Sequence, residues 1–234
     1  MTNGVDDILN KVRIIKLLLL KIKTLFQERT LLFSPQKTFF VFPQPSYIDQ
    51  LAGMQRDKAE KFYGKITDLT AMKKFGAKNL DKFSFWAWRG CGITCLLMIL
   101  KSLKRVNKKM TIMDLINQAL KIDGYIFKND LGWRHQALVQ LAQKYRLKAK
   151  IISLATIYDL AKAIKENKYV IASLISPSGG HLCLFFGFKT DKKGGIRSFF
   201  YHDPSSWAKP GANLSIKSEE MVKIFQNKAL AIWE

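Results

Sequence analysis

The chain is poor in the residues that would fix it by cross-links. Only three cysteines occur in 234 residues, at 91, 95 and 183, with three histidines. Three cysteines cannot make a disulfide framework, and the odd number leaves at least one thiol unpaired, which favours a cytoplasmic compartment. Cys91 and Cys95 are four apart rather than in a Cys-x-x-Cys pair, and no second Cys/His cluster has zinc-ligand spacing, so no metal and no cofactor is expected. A bilayer-spanning run is also missing: Lys11, Arg13, Lys16, Lys21 and Lys23 interrupt the most apolar N-terminal stretch. That stretch lacks a compact small-residue cleavage site, which disfavours a secretory signal. There is no nucleotide-binding motif, internal repeat, low-complexity segment or linker.

Acidic residues are scarce as well, 18 against 39 basic ones, for a net charge of +21. Such a balance favours nucleic acid, an anionic membrane surface or an acidic substrate as a partner. The lysines are spread along the whole chain, however, so a solvated Lys-rich surface is the first expectation and nucleic acid is set aside. Residues 5–27 carry apolar side chains at helical spacing between basic ones. A basic amphipathic helix of this kind can lie on an anionic membrane. More commonly its stripe packs against its own domain, and that is expected here.

With 48% apolar residues and a mean hydropathy of −0.05, the remainder reads as globular. Residues 31–53 are punctuated by Pro35, Pro43 and Pro45 and read as an extended connection with a short strand at 39–42. A helix is expected over 55–75, a polar loop over 76–85, and helices over 91–100, 111–122, 133–145 and 157–165, with a short strand at 148–153. The last third turns to β-branched and aromatic runs at 169–175, 181–189, 196–203 and 229–233, with one more helix within 215–228. Helices followed by an antiparallel sheet define an α+β chain, divided into a helical extension over 1–80 and a catalytic domain over 81–234.

Cys91 is flanked by Gly90 and Gly92 at the point where an apolar helix begins. Unpaired N–H groups and the helix dipole stabilise a thiolate there. His181 opens an apolar strand after Ser176-Pro177-Ser178-Gly179-Gly180, and Asp203 ends the next strand before Pro204-Ser205-Ser206. Residues 190–195 are polar and contain glycine, the signature of a hairpin that would bring His181 beside Asp203. Alternation puts His202 on the opposite face. Nucleophile, base and orienter are the parts of a thiol hydrolase acting through a covalent acyl-enzyme.

The series Cys91-Gly92-x-x-Cys95-Leu-x-Met-Ile-Leu, Gly180-His181, Gly187 and Asp203-Pro204 resembles the bacteriocin-processing (double-glycine leader) peptidases and their stand-alone relatives, over residues 85–233. Gly132-Trp133 before an amphipathic helix is similar to the stand-alone branch. The resemblance implies a papain-like fold, a Cys91-His181-Asp203 triad and a peptide or protein substrate. It also implies a Gln about six residues before the nucleophile as an oxyanion donor. Phe85 stands there, and no Gln, Asn or His occurs between Leu80 and Gly90. Ser84, Trp86, Trp88 and Arg89, with the Cys91 backbone N–H, are the candidate replacements, and a weak or inactive peptide-binding module is the alternative reading.

Overall fold

The computed structural model describes residues 3–176, 179–205 and 211–234; Pro177, Ser178 and Ser206 of the two loops named above lie outside the described residues. Strand β6 (Gly179–Thr190) is the spine of the sheet. One edge pairs antiparallel with β5 (Tyr169–Ser176), from Ser176 opposite Gly179 to Val170 opposite Phe185, and then with β1 (Thr38–Phe40), where Phe40 faces Gly187. The other edge pairs with β7 (Ile196–His202), which continues to β8 (Leu214–Lys217). On the far side of β5 comes β9 (Phe225–Trp233) and then β4 (Lys148–Ser153) at the edge, while β2 (Tyr125–Ile126) and β3 (Gly132–Trp133) form a separate antiparallel ribbon. The strands at 148–153, 169–176, 179–190 and 196–202 follow the β-branched and aromatic runs closely.

Helices cover this sheet. The N-terminus of α4 (Cys91–Ser102) meets β6, and every residue from Gly92 to Leu100 is buried. α5 (Ile112–Leu120) starts at a capping box in which the Thr111 side chain accepts from Asp114 N–H and the Asp114 carboxylate from Thr111 N–H. α6 (His135–Lys144) and α7 (Ile157–Lys165) follow, the latter with an equivalent Thr156–Asp159 box. Phe33, Val41, Leu51, Ile66 and Phe75 join Leu97, Phe185 and Leu230 in one apolar cluster, so residues on both sides of position 80 build the core.

Two expected elements differ. Residues 55–75 do not form one helix: a short 3-10 turn (Arg56–Lys58) and an Ala59–Ile66 bridge precede α2 (Leu69–Phe75). The Asp68 carboxylate caps Ala71 N–H and starts α2 there, overriding the looser upstream periodicity. The expected loop at 76–85 contains α3 (Leu80–Ala87), capped by Asn79; its polar residues face solvent while Phe83, Trp86 and Ala87 are buried. The helix expected within 215–228 is α8 (Ser218–Ile224), preceded by Leu214 to Lys217 pairing with β7 and followed by β9 from Phe225.

The long N-terminal helix α1 (Asn3–Thr30) is turned the other way round from expectation. Its attachment to the body is polar: Gln27 Nε2 donates to Asp159 Oδ1 (2.9 Å), and Lys23 Nζ donates to Asp159 Oδ2 (2.7 Å) and Leu154 O (3.1 Å). Ile8, Leu9, Val12, Ile14, Ile15, Leu17, Leu18, Leu19, Ile22, Leu25 and Phe26 are all at least 42% exposed. At about 100° per residue, Lys23 and Gln27 lie on one side and the stripe of Ile8, Ile15, Leu18, Ile22 and Leu25 on the other. The stripe does not pack against its own domain. No single helix among the described residues is long and apolar enough to cross a membrane.

The turn between β6 and β7 is pinned by Asp191, whose Oδ1 accepts from Lys193 N–H and Gly195 N–H. Gly194 sits at φ +85°, and a Cβ there would lie 2.3 Å from Phe33 O. Phe33 N–H also donates to Gly194 O (3.1 Å), which ties the N-terminal segment to the hairpin. Gly194→Ala combines a left-handed backbone with a backbone clash, and is expected to destabilise the protein by about 1–3 kcal/mol. A urea titration should show a lower midpoint at unchanged slope; an unchanged midpoint would mean that this turn does not anchor residue 33.

Candidate active site

Cys91 is the first residue of α4, with Gly90 as an N-cap that offers no side chain to the free N–H groups. Gly92 decides how close the helix comes to the sheet. A Cβ at Gly92 would lie 2.6 Å from Leu182 Cδ1 and 3.2 Å from Leu138 Cδ1, so any larger residue requires the Leu182 side chain to move aside where α4 meets β6. Trp133 Nε1 donates to Arg89 O (2.6 Å) and fixes the loop entering α4. These contacts place the half-buried Cys91 in the same cleft as His181, close enough for the ring to lower the thiol pKa.

The β6–β7 hairpin supplies the other two residues. His181 Nε2 lies 2.7 Å from Asp203 Oδ1. Asp203 is itself held: Oδ1 accepts from Ser205 N–H (2.8 Å), and its N–H donates to Gly211 O (2.8 Å). Burial works against charging either Cys91 or His181, but their mutual interaction prevails. The Cys91 thiol is held below its ordinary pKa by the His181 ring and by the N–H groups of Leu182 and Gly92. His181 is raised well above the ordinary imidazole value by Cys183, Asp203 and Cys91. Both directions favour the charged forms of the two groups. Cys95 and Cys183 are buried and shifted the opposite way, Cys183 up to about 11.

The remaining candidates are committed elsewhere. Ser84 Oγ accepts from Ile66 N–H (2.8 Å), Trp88 Nε1 donates to Gly64 O (2.8 Å), and Trp86 is buried against Tyr125 and Trp133. Arg89 grips Asp130 through Nε and Nη2, the latter at 2.7 Å, and donates from Nη1 to Phe85 O (3.1 Å). Trp88 and Arg89 line the cleft beside Cys91, while Ser84 and Trp86 do not. His202 is fully turned away, with Nε2 on Pro45 O and Nδ1 accepting from Asn213 N–H.

Two residues passed over in the sequence belong to this neighbourhood. His135, the first residue of α6, lines the cleft with its Nε2 2.8 Å from Ser173 Oγ; burial and then the charge of Lys228 lower it to about 4, so it is neutral at neutral pH. Gln50, 3% exposed, joins the segments before Cys91 and after Asp203: its N–H donates to Pro204 O (2.8 Å) and its Nε2 to Ala87 O (3.0 Å). Neither carries a local motif, since both act through contacts made only in the folded chain. The cleft encloses about 420 Å³, walled by Tyr63, Trp88, Asp130 and Trp133 as well as by Gly180, Leu182 and Gln226.

A helix-borne cysteine facing a histidine that opens an antiparallel strand is the arrangement of a papain-like cysteine-peptidase fold. The chain belongs to the Peptidase_C39 like family, which matches residues 77–229. Among solved structures it is similar to a protein described as a C39-like peptidase from Bacillus anthracis, at 17% identity and a TM-score of 0.50, covering 84% of this chain and 98% of that one. A double glycine motif protease of an AMS/PCAT transporter, solved with its leader peptide, is 18% identical with a TM-score of 0.40 over 61% of this chain and 83% of that one. The peptidase domain of Streptococcus ComA is 15% identical with a TM-score of 0.44, covering 62% and 91%. No curated protein matches the chain.

These environments predict unequal thiol reactivity. Iodoacetamide at neutral pH should modify Cys91 well before Cys95 or Cys183, with a rate that declines as acid protonates the Cys91 thiolate. Peptide mass mapping would read this out, and equal labelling of all three thiols in the folded protein would contradict it.

Proposed function

We propose that the protein is a cysteine peptidase that cleaves peptide bonds through a Cys91-His181-Asp203 triad. The observation that carries this reading is the ring of His181, which shares one cleft with Cys91 and stands 2.7 Å from Asp203 Oδ1. The Cys91 thiolate attacks the scissile carbonyl carbon and forms an acyl-enzyme. The His181 imidazolium protonates the leaving amine, then takes a proton from the water that hydrolyses the thioester. Asp203 fixes the ring and stabilises its charge. The Cys91 backbone N–H, unpaired at the start of α4, is the oxyanion donor; the Phe85 position supplies none, which lowers the rate by about 10²–10³ relative to a site with a side-chain donor. The substrate is a peptide or protein segment that lies across the cleft.

Turnover of a peptide library should vanish in Cys91→Ala and His181→Ala and drop by about 10²–10⁴ in Asp203→Asn. The pH profile of kcat/KM should be flat through neutrality. It should fall in acid as the low-pKa thiolate of Cys91 is protonated, and in alkali as the imidazolium of His181 gives up its proton. A lone rising limb near the ordinary thiol value of about 8.5 would contradict the ion pair. Saturable peptide binding with no Cys91-dependent turnover would instead make the chain a peptide-binding module.

A second reading concerns α1, whose outward apolar stripe favours docking on an anionic membrane surface. Lys11, Arg13, Lys16 and Lys21 lie among its exposed apolar residues, and each basic residue near an anionic bilayer contributes about 1 kcal/mol. Pairing with a second copy fits less well: Leu9 and Leu17 lie outside the stripe that a helix–helix seam would cover. Vesicles containing phosphatidylserine should sediment the protein at low salt, phosphatidylcholine vesicles much less, and Leu18→Glu/Ile22→Glu should abolish binding. A concentration-dependent dimer lost in that variant, without vesicle binding by the parent, would assign the stripe to self-association.

A further inference from the structure

The wall of the cleft is not uniform. Tyr63, Trp88, Leu131 and Trp133 give it aromatic and apolar surface, whereas His135, Ser173 and Gln226 bring polar groups that the proposed reaction does not use. These three come from separate elements that the fold sets side by side. Ser173 lies on β5 opposite Leu182 of β6, Gln226 lies on β9 next to β5, and His135 begins α6. Gly179 and Gly180, at the start of β6, leave room beside them. A Cβ at Gly179, where φ is +110°, would meet nothing within 4 Å, and one at Gly180 nothing nearer than Gln226 Oε1 at 3.8 Å. Gly180 directly precedes His181, so this room adjoins the reacting groups.

The polar groups are uncharged and can both give and accept hydrogen bonds. Ser173 is 4% exposed in the otherwise apolar run of β5, and its hydroxyl is partnered by the His135 ring at 2.8 Å. Whichever of the two donates, the pair retains one further donor and one further acceptor. Gln226, exposed at the rim, adds an amide that carries both. His135 stays neutral, because burial and the charge of Lys228 oppose its protonation. Outside the reacting groups, the charged residues of the cleft wall are Arg89 and Asp130, and they bind each other.

We propose that His135, Ser173 and Gln226 form a side-chain subsite that selects a substrate residue bearing a carboxamide, glutamine or asparagine. A carboxamide matches the subsite because it supplies a donor and an acceptor together and brings no charge. A carboxylate has no donor and an ammonium no acceptor, and either charge would be desolvated without a free counter-charge on the cleft wall. A leucine would cover the polar groups and leave them without partners.

As a determinant of cleavage the subsite rests on the peptidase reading; as a binding site it does not. The probes are internally quenched peptides in which each position in turn carries Gln, Asn, Glu, Lys or Leu. At one position near the scissile bond, kcat/KM for Gln or Asn should exceed that for the other three by about 10–100-fold, as two hydrogen bonds to uncharged groups give. The full chain carrying Cys91→Ala should show the same order of affinity for these peptides by calorimetry. Ser173→Ala and Gln226→Ala should each reduce the preference by about 3–10-fold. Gln226→Glu should move it toward Lys, a change that loss of stability would not produce. Gln226 is exposed, so its variants keep the fold, and circular dichroism checks Ser173→Ala. Equal rates and affinities at every position, or a carboxamide preference that survives Gln226→Glu and folded Ser173→Ala, would overturn the subsite. Carboxamide-selective binding to Cys91→Ala without hydrolysis by the parent would uphold the subsite and remove the peptidase reading. Hydrolysis indifferent to the side chain would do the reverse, and neither binding nor hydrolysis would remove both.

Discussion

The close approach of α4 to β6 is the constraint on which the candidate site depends. Without a side chain at Gly92, the helix start meets the strand at van der Waals distance, and Cys91 comes close enough to His181 for the ring to lower the thiol pKa. Both groups are then removed far enough from water for each to set the other's protonation. Neither residue would hold its charge alone in that place, because burial opposes both. The mutual pKa shifts are therefore a property of the helix–strand contact rather than of either residue, and the hairpin that carries Asp203 adds to a geometry already fixed by that contact.

The parts of this arrangement that follow from neighbours in the chain were legible in the sequence. Cys91 at a helix start between two glycines, and His181 and Asp203 at facing ends of a hairpin, depend on local pattern and on turn chemistry that residues announce directly. The runs at 148–153 and 157–165 read correctly for the same reason. What escaped depends on distant partners. Gln50 and His135 have no motif; one is defined by carbonyls 37 and 154 residues away, the other by a hydroxyl on β5. The helix start at Asn79 was hidden by the polar residues around it, and β8 by the helix former content of the segment that follows.

The orientation of α1 has a different cause. An apolar stripe is ordinarily assigned to the core because water penalises its exposure. In this chain the opposite face carries the specific partners: Asp159 closes the capping box of α7 and also receives Lys23 and Gln27 of α1. The contact with the body is made by polar groups of defined geometry, so it fixes which way the helix faces, and the stripe is left for something other than the core.

The position of β9 bears on when this site can exist. It lies between β4 and β5, two strands that follow one another in the chain with α7 between them but do not touch. During synthesis, everything up to β8 can emerge while the gap in the sheet remains open, and Gln226, which lines the cleft, is carried by the strand that fills it. Ribosomes release residues far more slowly than helices form. A nascent chain can therefore form α4 early and still lack a finished cleft until residues 225–233 have been added.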